Sequence, residues 1–280
     1  MKHFLTVFAA LFLSQPLYSQ VLHLKSCKAD AVTGSEFAKS ITDSTLTLEK
    51  RETIIFSEIK KGNVPNFLRK LTLIKDSATI DNKIYIIDYY VLPNYIAIGS
   101  NEDFLYVPMT PILAQKIADL TKSSLPTKQM VNRIYQNAAI KLAPQPIPPT
   151  KLMTTVPVFI KHNQLVNAQL VPYLNEHINS SLTAGHKKDI VISNKIYGEK
   201  SNRVVIYGWH KLDGKPIQPL YNKHVNTWAD YSHGVRLIQN KVCVNGKKTT
   251  IAKVLADPKL NVLLSDEGMI LKPFYPITGY

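Results

Sequence analysis

"KIYIIDYYVL", residues 83–92, is the stretch on which the fold turns. Isoleucine, tyrosine and valine dominate it, the β-branched and aromatic residues that strands favour. Pro93-Asn94 stops it with a turn signal. "FLRKLTLIK" (67–75) before it, and "YIAIG" (95–99) and "DFLYVP" (103–108) after it, read the same way, with "GSNED" (99–103) as a further turn. Short strands in succession, joined by turns, predict a small antiparallel sheet.

Helices flank these strands. "SEFAKSI" (35–41) reads as a short helix capped by Ser35, and "LEKRETIIFSEIKKG" (48–62) as a longer one ending at Gly62. Thr110-Pro111 places a cap and then a proline at the first helical position. Leu113, Ile117 and Leu120 then share one face. "LPTKQMVNRIYQNA" (125–138) repeats the device, with Met130, Ile134 and Ala138 as its stripe.

"APQPIPP" (143–149) is extended and stiff, and reads as a strap across the surface rather than a linker. Beyond it, "VPVFIKHNQLVNAQLV" (156–171) is helical until Pro172. "HKKDIVIS" (186–193) and "NRVVIYGWH" (202–210) are strand-like, and Asn245-Gly246 makes a hairpin of "KVCVNGKKT" (241–249). "TIAKVLAD" (250–257) and a piece after Pro258 are helical. The alternation is irregular, which predicts an α+β class rather than a parallel α/β sheet. The expected architecture is a small antiparallel sheet with flanking helices in the first half, then a second mixed strand/helix lobe after the Pro-rich strap. Residues 20–280 read as a single domain, with lobes at 20–142 and 150–280 as the alternative division.

The N-terminus points to export. Met1-Lys2-His3 is a short basic start, "FLTVFAALFL" (4–13) is apolar, and "SQPLYSQ" (14–20) is polar, the pattern of a bacterial secretory signal peptide over 1–19. The apolar run is too short to span a bilayer. A periplasmic or extracellular location follows as an expectation. "LKSC", ending at Cys27, is a poor lipoprotein box because Lys25 stands where a small residue belongs. In an oxidising compartment Cys27 and Cys243 could form a disulfide, with two separate thiols as the alternative.

The chain carries 34 basic and 20 acidic side chains, a formal charge of +14. Nucleic acid is disfavoured as a partner, because the five arginines (Arg51, Arg69, Arg133, Arg203 and Arg236) are scattered and no basic run exceeds a pair. An anionic extracellular or cell-wall polymer suits the charge better.

The chemistry concentrates late in the chain. Of the eight histidines, six (His162, His177, His186, His210, His224 and His233) lie in one interval with both tryptophans. Its densest part is 207–237. His210, His224, Asp230, Ser232 and His233 are the candidate catalytic residues, since histidine, carboxylate and hydroxyl together serve acid–base or nucleophilic chemistry. Tyr207, Trp209, Trp228, Tyr231 and Arg236 are the candidate substrate-binding residues, as stacking faces and an anion fork. If 230–237 is a strand, Ser232 and His233 face opposite ways, and Asp230 shares the face of Ser232. No cofactor is expected. Zinc held by His224, Asp230 and His233 is the alternative, on a spacing that fits known zinc motifs poorly. "AGHKKDIVIS" (184–193) reads as a solvated turn entering a buried strand. The expected function is a secreted hydrolase of cell-wall or extracellular polymer, the alternative a non-catalytic exported glycan- or peptide-binding protein.

Overall fold

The computed structural model describes residues 20–173 and 181–280. The leader assigned to 1–19 and His177 lie outside these residues.

Two helices open the described chain, α1 (Gly34–Ser40) and α2 (Leu48–Lys61). Thr33, not Ser35, caps α1: its side chain accepts the Glu36 N–H while the Glu36 carboxylate accepts the Thr33 N–H. The long strands β1 (Thr72–Ile80) and β2 (Lys83–Val91) follow as a hairpin turning at Asp81-Asn82. The strand expected from residue 67 starts later. Asn66–Leu68 is a tight 3-10 turn that buries Phe67 and Leu68, and this core plug takes the place of extended chain.

The pieces β3 (Ala97–Gly99) and β4 (Phe104–Tyr106) form a second hairpin. Next come α3 (Pro111–Leu120), β5 (Ser123–Ser124), α4 (Lys128–Asn137), β6 (Ile140–Lys141) and α5 (Val156–Leu170). Thr110 and Thr127 cap α3 and α4 through their hydroxyls. The remainder holds β7 (Thr183–Ala184), β8 (Lys188–Ile190), β9 (Ile206–His210), β10 (Pro216–Tyr221), β11 (His233–Gly234), β12 (Ile238–Gln239), β13 (Lys241–Val244), β14 (Lys247–Thr250) and α6 (Ile251–Ala256).

The protein is α+β, and the sheet announced by 83–92 is its backbone. β2 pairs with β1 along one edge and with β12 and β13 along the other, and β14 and β5 extend this sheet to six strands. Strands from both sides of the strap therefore share one sheet. One hydrophobic cluster, from Leu22 to Tyr275, likewise draws on both halves. The smaller sheet has the order β10-β9-β8-β11 and carries the polar cluster described below.

The Pro-rich segment is tied down at two points. The Ala143 N–H donates to Gln169 Oε1 at 2.9 Å, and the Ile147 N–H donates to the Tyr231 hydroxyl at 2.8 Å. Cys27 and Cys243 are both free thiols, which corrects the disulfide expectation. Cys27 lies near Asn63, whereas Cys243 sits in β13 opposite Asp88 and Lys248, so the fold gives each thiol different neighbours. No helix among the described residues is long and apolar enough to cross a membrane.

Candidate functional site

The smaller sheet builds the site by its register. β8 lies between β11, which is parallel to it, and β9, which is antiparallel. His233 stands opposite Lys188, and Gly234 opposite Asp189. Cross-strand partners project to the same face, so Lys188 and His233 lie side by side. Gly234 allows the close packing beneath them. A Cβ there would sit 2.7 Å from both Lys187 Cβ and Tyr95 Cδ1. Gly234→Ala is expected to lose about 1–3 kcal/mol of unfolding free energy in urea, and an unchanged midpoint would mean that this contact relaxes freely.

Asp230 reaches the cluster by a turn, which corrects the first part, 230–232, of the strand reading of 230–237. The His233 N–H donates to Asp230 O at 3.0 Å, closing the turn. The Asp230 carboxylate accepts the Ser232 N–H at 2.8 Å, the Ser232 hydroxyl, and the Trp228 indole N–H at 3.4 Å. His233 Nε2 then lies 3.9 Å from Asp230 Oδ2, close but longer than a hydrogen bond. Strand alternation would have held these two side chains apart. Ser232 is fully buried, and its hydroxyl serves the carboxylate rather than a histidine. His224 stacks on Trp228 with ring centroids 5.0 Å apart and planes 13° from parallel. His224, Trp228 and Lys188 are partly exposed, while Asp230 and His233 are buried.

Behind this front lies a second layer. Lys187 is 1% exposed, which corrects the solvated-turn reading of 184–189. Its ammonium donates to Tyr231 O at 2.7 Å and pairs with His162 Nδ1 of α5 at 3.1 Å. The residue pair Lys187-Lys188 thus splits, one side chain inward and one outward, because consecutive residues at a strand face opposite sides. The only sequence signal for Lys187 was its place beside a buried strand; its partner His162 lies on a distant helix. Tyr231 is committed to the strap, its hydroxyl donating to Ile147 O at 3.1 Å.

Three candidate residues lie elsewhere. Gly208 and Trp209 have φ of 106° and 56°, which breaks the two-residue alternation of β9. Tyr207 and His210 consequently face α4 together. The Tyr207 hydroxyl donates to Asn132 Oδ1 at 2.8 Å, His210 Nε2 lies 3.1 Å from the same oxygen, and His210 stacks on Tyr135. They line a separate cleft of about 520 Å³ with Lys141 and Asp213. Trp209 turns the other way, beneath Lys188, whose Nζ is 4.9 Å from its ring centroid. Arg236 lies in the core rather than at an opening. It donates to Leu92 O at 2.8 Å and Thr183 O at 2.7 Å, and its guanidinium covers the Tyr95 ring.

Among the described residues, no group of three or more His, Cys, Asp or Glu is arranged to hold a metal ion. The chain matches no family model, no curated protein and no solved structure. Its function is therefore argued from the site.

Electrostatics divides the cluster into one anion and several neutral bases. Burial pushes the Asp230 carboxyl up, but the His233 and Lys188 charges and the Ser232 hydrogen bonds outweigh it and bring it to about 2. Burial lowers His233 to about 4, against the pull of Asp230, and lowers His224 as well. Burial also brings Lys187 down to about 7. Asp230 is an anion at neutral pH, and His224 and His233 are neutral imidazoles.

The buried histidines make stability acid-sensitive. Burial takes His162 to about 2 and His210 and His233 to about 4, and holds His186 well below 6.5. As pH falls through 6.5, the unfolded chain binds protons at these positions before the folded chain does, so stability is lost. Asp189 and Glu52 oppose this: burial raises both carboxyls, Asp189 to about 7, so their protons favour the folded state at acid pH. Four histidines outweigh two carboxyls. The midpoint of thermal unfolding is expected to fall steadily from pH 6.5 to pH 4, and a flat or rising midpoint would contradict the neutral burial of these rings.

Proposed function

We propose that the protein is an exported hydrolase of a cell-wall or extracellular polymer, acting by acid–base chemistry at Asp230, His224 and His233. One observation carries this reading. A buried carboxylate, two imidazoles and two lysines converge, and both His233 ring nitrogens and the Trp209 indole nitrogen are buried without a partner. Buried donors without acceptors are costly, and catalytic hydrogen bonds are often incomplete until substrate binds.

Roles follow from exposure and charge. His224 is partly exposed and neutral, so it takes a proton from the attacking water. The hydroxide adds to the scissile centre, and the imidazolium returns the proton to the leaving group. Asp230 stabilises that imidazolium, and Ser232 orients Asp230. His233 packs behind the carboxylate. The leader-like pattern at 1–19 supports export, and the charge of +14 supports an anionic substrate.

The alternative, a non-catalytic glycan- or peptide-binding protein, draws on a cleft of about 530 Å³ beside Trp228, walled by Leu46, Leu152 and Pro157. Incubation with purified cell-wall material and with polysaccharides separates the two, by release of reducing ends or free amines. Release that falls about 10²–10⁴-fold in His224→Gln supports the hydrolase. Binding without release supports the binder. Elemental analysis tests the zinc alternative: stoichiometric zinc lost in both His224→Ala and His233→Ala would replace water activation by His224 with a metal-centred one.

A further inference from the structure

We propose that the cleft beside Trp228 binds a medium-chain acyl carboxylate, with the chain along the apolar wall and the carboxylate on Arg51. The proposal goes beyond the hydrolase reading and stands whether or not Asp230 and His224 cleave a bond.

The cleft holds about 530 Å³, within the ~300–1,000 Å³ of small-molecule sites. It opens between the loop joining α1 to α2, the start of α5 and residues 227–229. Leu46, Leu48, Leu152, Pro157, Val158 and the Trp228 ring form its apolar wall. Leu152 is 60% exposed, so a hydrocarbon chain would remove apolar surface from water on both partners.

The same lining serves a sugar poorly. It holds no Asn or Gln. The Thr42 hydroxyl donates to Ala38 O at 2.6 Å and the Thr155 hydroxyl to Leu152 O at 2.8 Å, so both are spent on the main chain. His224 already covers one face of Trp228.

Charge fixes the head group. Among the lining residues Arg51 is the one cation and Asp43 the one acid. Asp43 is exposed and bonds its own loop, its Oδ1 accepting the Thr45 N–H at 2.9 Å and the Thr45 hydroxyl at 2.8 Å. Arg51 is half-buried in α2. It donates to Thr154 O at 3.2 Å, and its guanidinium lies 5.5 Å from the Phe159 ring centroid. Among the described residues Arg51 forms no ion pair. Glu52 beside it is committed to Thr110, whose N–H it accepts at 2.6 Å, and to the Tyr280 hydroxyl. A cation that has lost water without gaining a counter-ion favours an arriving carboxylate, which a guanidinium can hold through two parallel hydrogen bonds. The positive end of α5 opens on the same cleft without a side-chain cap, and adds to this preference.

The test uses the whole protein with octanoate, with 1-octanol of the same chain length, and with acetate. In calorimetry octanoate is expected to bind about tenfold or more tighter than octanol, and acetate to give no measurable binding at the same concentration. Arg51→Met should bring octanoate down to the level of octanol, and Arg51→Lys should restore part of the difference. Leu152→Glu, at a position exposed enough to tolerate charge, should weaken octanoate by about tenfold or more by placing an anion at the wall. Near-UV circular dichroism reports whether each variant keeps its packing; if Arg51→Met does not, Leu152→Glu decides. Equal binding of octanoate and octanol, or octanoate binding unchanged in a folded Arg51→Met or in Leu152→Glu, overturns the proposal. Binding of a neutral oligosaccharide that Leu152→Glu abolishes also overturns it, since the cleft then belongs to a sugar. Arg51-dependent octanoate binding by a protein that cleaves no polymer rejects only the hydrolase.

Discussion

Asp230→Asn is expected to reduce turnover by about 10²–10⁴-fold while leaving the protein folded. The substitution keeps shape and removes charge. The amide oxygen still accepts from Ser232, which holds the turn that closes on His233. What is lost is the anion that favours a protonated His224 during the reaction, since the Asp230 charge raises the affinity of His224 for a proton. A second readout follows. The acid limb of the pH–rate profile reflects protonation of the free base, so in any residual activity of Asp230→Asn that limb should move to lower pH. A purely structural role for Asp230 would lower activity without moving the limb. If Asp230→Asn retains full activity, the acid–base reading of this cluster is wrong.

Arg236→Met is expected to be the most destabilising single substitution, at about 3–5 kcal/mol in urea unfolding. Arg236 is 1% exposed and was expected from sequence to serve as an anion fork. Its fork instead closes on two main-chain carbonyls, Leu92 O after β2 and Thr183 O in β7, and so ties the large sheet to the site region. Its Nε lies 4.0 Å from Asp189 Oδ1 in the core. Methionine would fill much of the space, yet it leaves two carbonyls without donors and Asp189 without its cation. The Tyr95 hydroxyl, donating at 2.7 Å, then remains beside that carboxyl. Burial already raises Asp189 to about 7, so losing Arg236 pushes it further up and leaves it protonated at neutral pH. Arg236→Lys should recover little, because an ammonium lacks the planar fork that spans both carbonyls. A loss under about 1 kcal/mol would place Arg236 among the weak pairs typical of surfaces.

Local chemistry was legible wherever it was sufficient. Asn245-Gly246 made its hairpin, Thr110-Pro111 started its helix, and Gly62 ended one, because caps and turns are satisfied by residues a few positions apart. The strand at 83–92 and the α+β class followed from side-chain type and from spacing within single segments. The crowding of histidines, tryptophans and Asp230 before residue 237 was legible as composition, and the fold brings His224, Trp228, Asp230 and His233 of that stretch together.

Pairings between distant segments were decided by tertiary structure alone. Nothing near residue 88 announces Cys243 as its neighbour, and nothing near residue 162 announces Lys187. The strand reading of 230–237 failed at 230–232 because Asp230 bonds its own turn, a local competition that residue types leave open. His210 and Trp209 exchanged faces because positive φ at two consecutive residues reset the alternation, and a period-two rule has no means to foresee that. Sequence spacing determines which side chains share one element. Which elements meet depends on how buried polar groups such as Lys187, Asp189 and Arg236 find partners across the core, and that is a property of the packed whole.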